Sequence, residues 1–410
     1  MRILIHDFAG HPFQVQLSRE LARRGHDVTH SWFAGDIGPK GDLQRKPGDA
    51  DTLEFLPLGR TINYSKANLI RRRQGDVAYG QEVARTIRAT RPDIVLCGNS
   101  PTEVVSPLLP ACKAAGAAFV YWVQDFNGLA SRKLLSRRLP VIGDLVGRYY
   151  MWLDARHLRA SQRVVVISDG FLGETDRMGI ARDKIDVIPN WGAISDIPVL
   201  DKDTAWRREQ GLKRPRIALY SGTLALKHNP ELLRTLALAL EERGDASVVA
   251  VAAGVGAEAL AESQRNAPLQ SLELRGLQPF ERFPEVLGSA DILLAVLERE
   301  AGSFSVPSKI LSYLCAGRPI VLAAPAENLA ARIVSDIGAG RVVEPEDAAG
   351  FTSAALHFLD DPEAAREAGE RARAYAESHF RIDRVADRFE EVFAKARDGQ
   401  ASGRPGEAIG

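Results

Sequence analysis

The stretch Ser303–Ala324, SFSVPSKILSYLCAGRPIVLAA, decides how the rest of the chain is read. Just upstream, Asp291–Leu297 (DILLAVL) is an apolar run of strand length, and the end of the stretch, Pro319–Ala324 (PIVLAA), is a second. Runs this short and uniformly apolar suit strands buried on both faces of a parallel sheet, so Pro307–Ala316 between them reads as the crossover helix of a βαβ unit. Pro307 suits the first helical turn, Ser305 is a possible cap and Gly317 stops the helix. The loop entering such a helix lies at the carboxyl end of a strand, where helix N–H groups and the positive end of the dipole favour an anion. Lys309 adds a cation at that end, which suits a diphosphate.

At 410 residues, 45% apolar and 26% charged, the chain is long enough for two cores. No apolar run reaches the roughly 18 residues needed to span a bilayer. The first strand, Arg2–Ile5, runs at once into His6 and Asp7 without a signal-peptide core, which predicts a cytoplasmic protein. Cys97, Cys112 and Cys315 are isolated and lack a CxxC or histidine partner, so they read as core residues in a reducing compartment. Net charge is zero but unevenly spread: 27 Lys+Arg face 20 Asp+Glu up to Ser195, and 26 face 33 beyond it. A basic first half and an acidic second half point to different partners for the two.

In the first half, MRILI, the turn HDFAGHPF and a helix over Gln14–Arg24 form a first βαβ entry, with Gly10 and His11 in its loop. Pro39–Arg73 is polar and weakly periodic and reads as an excursion from the sheet. Asp76–Thr90 is helical, PDIVLCGN is a strand, and AAFVYWVQD places Asp125 at a strand's carboxyl end, where it either serves a site or caps a turn with Asn127. Ser131–Ala160 interleaves Arg132, Lys133, Arg137, Arg138, Arg148, Arg156 and Arg159 with leucine, valine, tyrosine and Trp152. That pattern suits peripheral contact with an anionic membrane, or a helix packed on the sheet with a solvated basic face. No recognised nucleic-acid-binding motif accompanies the charge.

The second half restarts at RIALYSGTLALKHNPELL. There Gly222 permits close backbone approach and Lys227 lies near a helix start, a second place for a phosphate. ASVVAVAAGVG follows, a strand whose glycines lack full dinucleotide-fingerprint spacing.

Three segments together carry a resemblance: VVVISDGF (164–171) leading to DKIDVIPNWG (183–192), YSGTLALKHNPELL (220–233), and PSKILSYLCAGRPIV (307–321). They resemble retaining GT-B glycosyltransferases of family 4, in the bacterial exopolysaccharide, O-antigen and colanic-acid branch. The resemblance implies an α/β GT-B fold, two Rossmann-like domains facing across a cleft, with a C-terminal helix crossing back to the first. Residues 1–195 would be the acceptor-side domain, 196–214 a linker, 215–380 the nucleotide-sugar domain, 381–398 the returning helix and 399–410 a disordered tail.

The same resemblance implies a metal-independent hexosyltransferase without a bound cofactor. It would move a sugar from a nucleoside diphosphate sugar, uridine-linked, to a saccharide or polyprenyl-linked acceptor, at the inner face of the cell membrane. Catalytic roles fall to Lys227, Asp125 and Lys309. Donor contacts fall to Gly222, Thr223, Lys227, Gly276, Leu277, Ser303, Ser305, Ser308, Lys309 and Ser312. The acceptor side comprises Gly10, His11, Asp125, Asn190 and Trp191. The chain also departs from the family: Thr223 stands where an arginine is usual, Phe304 and Ser312 where two glutamates are, and the first loop keeps one glycine, Gly10. Those losses leave room for a non-catalytic nucleotide-sugar binder or partner subunit, and the fold also serves nucleotide-sugar 2-epimerases.

Overall fold

Short apolar runs build two parallel sheets in the computed structural model of the chain, which describes residues 1–35, 40–62, 69–98, 100–138, 140–225, 228–297 and 307–402. The first sheet holds β1 (Arg2–Asp7), β2 (Asp27–Phe33), β3 (Leu53–Leu58), β4 (Ile94–Gly98), β5 (Ala118–Val123), β6 (Arg163–Val166) and β7 (Ile185–Val187). The second holds β8 (Arg216–Thr223), β9 (Ala246–Ala253), β10 (Leu272–Arg275), β11 (Ile292–Val296), β12 (Ile320–Ala323) and β13 (Gly340–Val343).

The strand orders are β3-β2-β1-β4-β5-β6-β7 and β10-β9-β8-β11-β12-β13. Both are doubly wound. Each sheet reverses direction once, between β1 and β4 and between β8 and β11, and at such a switch the flanking crossovers part and leave room beyond the strand ends. The central strands are buried on both faces: β4, β5 and β11 carry no exposed residue. That is why they read as continuous apolar runs rather than alternating ones. Cys97, Cys112 and Cys315 are free and buried, and burial pushes the thiols of Cys97 and Cys315 up to about 12.

Contacts divide the chain into one unit of Met1–Pro189 with Ile382–Gly410, and a second of Asn190–Arg381. The helix Ile382–Ser402 therefore returns to the first unit. Phe389 on it meets Trp122 of β5 edge-on, with 4.8 Å between ring centres. Arg24, at the end of the helix Pro12–Arg23, reaches Asp387 at 2.6 Å and Glu390 at 2.5 Å.

Three readings change. LEFLPL, within the supposed excursion, is β3, pairing in register from Val28↔Leu53 to Phe33↔Leu58. Its Pro57 hid it, and the edge position tolerates a residue without an N–H. Residues 196–214, read as a linker with a short helix, do hold a helix, Ala205–Glu209, and it is packed rather than loose. Trp206 is fully buried there, its backbone N–H donates to Glu285 at 2.7 Å and its indole N–H to Gln278 at 3.2 Å. The crossover helix spans Ser308–Ala316, with Pro307 as the residue before its first turn and no side-chain cap.

Candidate active site

In the second unit the site begins where the sheet opens. The β8–β11 ladder runs through Ile292↔Ala218 and Leu293↔Leu219 and stops at Leu294↔Tyr220. Beyond it the Tyr313 hydroxyl stands in for the ladder: it accepts the Ser221 N–H at 2.9 Å and lies 3.2 Å from the Leu294 carbonyl. One turn earlier on the same helix, Lys309 crosses back over β8. Its Nζ donates to the Tyr220 hydroxyl at 2.6 Å and stands 3.8 Å from that ring's centre. The Tyr220 hydroxyl in turn donates to the Thr223 carbonyl at 2.8 Å.

Gly222 completes this corner with φ +119°, a backbone state that L side chains rarely adopt, and a Cβ there would lie 3.7 Å from Lys309 Cε and Nζ. The lysine ammonium is desolvated, and burial lowers its pKa to about 7. Bare backbone, a helix N-terminus and a lysine near its titration point converge on one spot at the switch. An anion placed there would hold the ammonium charged.

Ser308 is exposed at the first helical position and Ser312 is half-buried one turn on. Gly276 and Leu277 follow β10 directly. Gly276 borders a pocket at the carboxyl ends of β9 and β10, lined also by Ala252, Ala253, Gly254, Ala257 and Arg275. Sequence reading missed that pocket, although the run of alanine and glycine after β9 marks it. Lys227, Ser303 and Ser305 lie outside the described residues.

The first unit has a second polar centre at the end of β1, and sequence reading missed its organising residue, Asp7. This carboxylate is fully buried. It accepts the Ala9 N–H at 3.1 Å and the His11 N–H, and lies 3.3 Å from His11 Nδ1. The loop's donors are thus turned inward onto a protein carboxylate. Burial opposes both charges, yet the pairing prevails: Asp7 is held below the usual carboxylate range and His11 is raised.

Gly10, at φ +73°, is buried, and a Cβ there would meet Leu43 Cδ1 at 2.9 Å. It shapes the turn and offers no open cradle. Gln14 is fully buried beside Gly98, whose Cβ would lie 2.7 Å from Gln14 Oε1. Asp125 is exposed just beyond β5. Asn190 and Trp191, read as acceptor-side residues, fall in the second unit. Trp191 is 1% exposed, and the following Gly192 would clash with Cys315 Sγ at 2.4 Å if it carried a Cβ. The indole is a core group.

Two family models match: a glycosyl transferase 4-like domain over residues 11–191 and a glycosyl transferases group 1 domain over residues 215–361. The chain belongs to the family 4 type of GT-B glycosyltransferases. This glycosyltransferase is 26% identical, over 301 residues covering 69% of it and 71% of the relative, to the putative colanic acid biosynthesis glycosyl transferase WcaI of Escherichia coli. Among solved structures, sucrose-phosphate synthase from Thermosynechococcus elongatus superposes with a TM-score of 0.71 at 13% identity, covering 96% of this chain and 98% of that one. The Anabaena protein HepE in complex with UDP-glucose gives 0.67 at 16% identity over 96% and 99%. Both share the GT-B fold.

Proposed function

We propose that this glycosyltransferase takes its sugar from a uridine-linked nucleoside diphosphate donor, retains the anomeric configuration, and extends a saccharide or lipid-linked saccharide during cell-surface polysaccharide synthesis. The Lys309–Tyr220–Gly222 corner carries the reading. As the glycosidic bond breaks, the leaving diphosphate gains charge, and a desolvated ammonium beside helix N–H groups stabilises that charge more than water would. Lys309 holds the diphosphate, with Lys227 assigned to the same task. Ser303, Ser305, Ser308, Ser312, Thr223 and the backbone of Gly222 line the donor, and the alanine pocket by Gly276 and Leu277 takes the base.

On the acceptor side, His11 and Asp125 are assigned to the acceptor hydroxyls, with Asp7 orienting His11. Two relatives lend support. The Escherichia coli relative is described by its role in colanic acid biosynthesis, and HepE was solved with UDP-glucose. A lipid-linked acceptor would bring the protein to an anionic membrane through residues 131–160.

The test is calorimetry of the purified protein against a panel of nucleotide sugars, followed by hydrolysis of any bound donor with the anomer of the released sugar read by NMR. Binding of a uridine-linked sugar, weakened in Lys309→Ala and followed by slow hydrolysis with retained configuration, is expected. Binding without hydrolysis or transfer would favour a non-catalytic subunit. No binding to any donor would overturn the reading.

A further inference from the structure

Among the described residues, five of the seven exposed large apolar groups of the first unit lie on the helix Pro140–Ala160, the other two, Ile70 and Val77, being on the helix Leu69–Thr90. Val141 is 83% exposed, Ile142 63%, Leu145 70%, Tyr149 42% and Trp152 53%. These positions, with Arg148 and Arg156, recur every three or four residues and form one stripe. The opposite face, with Leu153, Ala155 and Leu158, is buried. Amphipathic helices normally bury their apolar stripe, and this helix has one stripe on the core and another facing out.

Charge around the outer stripe is one-sided. Nearby carboxylates are matched by arginines: Asp144 by Arg132 at 2.7 Å, Glu103 by Arg73 at 2.7 Å and Asp76 by Arg72 at 3.9 Å. Arg73 also lies beside Tyr149 and Tyr150. Arg148 and Arg156 are exposed and, among the described residues, have no carboxylate partner. The Arg156 guanidinium sits 5.7 Å over the Trp152 ring. Aliphatic residues therefore lead the stripe, and aromatic residues with arginines follow. A helix inclined into a bilayer by its amino-terminal end would set the aliphatic residues among the acyl chains and the aromatic residues and arginines at the anionic headgroups.

We infer that Val141, Ile142, Leu145, Tyr149 and Trp152 seat this face in an anionic phospholipid surface, with Arg148 and Arg156 at the phosphates. This narrows the contact from residues 131–160 as a whole to the outer face of the helix Pro140–Ala160. The side chains of Lys133, Arg137 and Arg138 lie outside the described residues. The inference rests on the reading that the acceptor is lipid-linked. Vesicle binding and nucleotide binding are measured separately, so either can fail alone.

Trp152 supplies the probe, because Trp32, Trp122, Trp191 and Trp206 are all at most 9% exposed. The full chain is mixed with vesicles of phosphatidylcholine alone and of phosphatidylcholine with phosphatidylglycerol, including a dibrominated form. With phosphatidylglycerol, emission is expected to shift blue and to be quenched by the brominated lipid, and Trp152→Phe should abolish both changes while flotation persists. Ile142→Glu with Leu145→Glu should lower partitioning about tenfold or more. Arg148→Ser with Arg156→Ser should remove the preference for phosphatidylglycerol. All four positions are exposed, so matching thermal melts confirm that the variants fold.

An unshifted Trp152, or equal flotation of wild type and the glutamate variant, would overturn the inference. So would a concentration-dependent dimer that the glutamate variant abolishes, since the occupant would then be a second copy of the chain.

Discussion

Lys309 Nζ hydrogen-bonds the Tyr220 hydroxyl at 2.6 Å while lying 3.8 Å from the centre of the same ring. A neutral phenol compensates the desolvated ammonium of this half-buried lysine only in part, and the desolvation lowers its pKa to about 7. A bound diphosphate would raise that value, so UDP binding above pH 7 should take up a proton. Calorimetry at one pH in two buffers of different ionisation enthalpy reads this directly, and affinity should fall as pH rises further. Lys309→Ala should remove the uptake and weaken UDP by about tenfold to a hundredfold. A buffer-independent enthalpy in the wild type would sink the assignment.

Tyr313 ties β8 to β11 where their ladder ends, and its loss should show in stability. Tyr313→Phe leaves the buried Ser221 N–H without the acceptor it has at 2.9 Å. An orphaned buried donor costs about 1–3 kcal/mol. Tyr220→Phe frees the carbonyl of the exposed Thr223 and takes the acceptor from the Lys309 ammonium, which can shed its proton above pH 7, so at pH 8 it should cost less. Urea denaturation of the two variants checks the order, and equal midpoints would contradict it.

Acid should loosen the first unit through its histidines. His6 and His30 are fully buried, and burial lowers both from 6.5 to about 4. Between those values the unfolded chain binds more protons than the folded one, so stability is full above about pH 6.5 and falls as pH drops toward 4. The slope approaches about 1.4 kcal/mol per pH unit for each histidine. Thermal melts across this range should show the decline, and His30→Gln should flatten it. A melting temperature that is level from pH 6.5 to pH 4.5 would refute the account.

The Asp7–His11 pair acts in the other direction. His11 is raised by Asp7 against the effect of its own burial, so its contribution is complete below the ordinary histidine value and fades as pH rises through the raised one. In Asp7→Asn the imidazole loses its anionic partner, and its NMR titration should move to lower pH. Should the titration stay in place, Asp7 would not be what charges His11.

Much of the second unit was legible because β11, the Ser308–Ala316 helix and β12 lie consecutively in the chain and each has an unmistakable period. The Lys309–Tyr220 contact was not legible, because its partners are separated by most of the intervening βαβ units. In residues 196–214 the apolar residues Ile197, Val199, Leu200, Trp206 and Leu212 are scattered among charges, too little to show that the short helix read there is packed. Asp7 looked like one more polar residue after β1. Only the fold shows that it turns the loop's N–H groups inward. In the basic stretch, composition indicated a surface but not which helix presents it, since exposure depends on what each face packs against.

The return of Ile382–Ser402 to the first unit has a consequence for synthesis. Trp122 waits for Phe389, and Arg24 for Asp387 and Glu390, while the whole intervening unit is translated. A ribosome therefore releases the second unit's sequence before the first can close, and until then Trp122 lacks Phe389 and Arg24 lacks its two carboxylates. A transcript cut short after Arg381 would encode every assigned donor and acceptor residue and still yield an aggregation-prone polypeptide. The helix Ile382–Ser402 thus makes closure of the first unit wait for synthesis of the second.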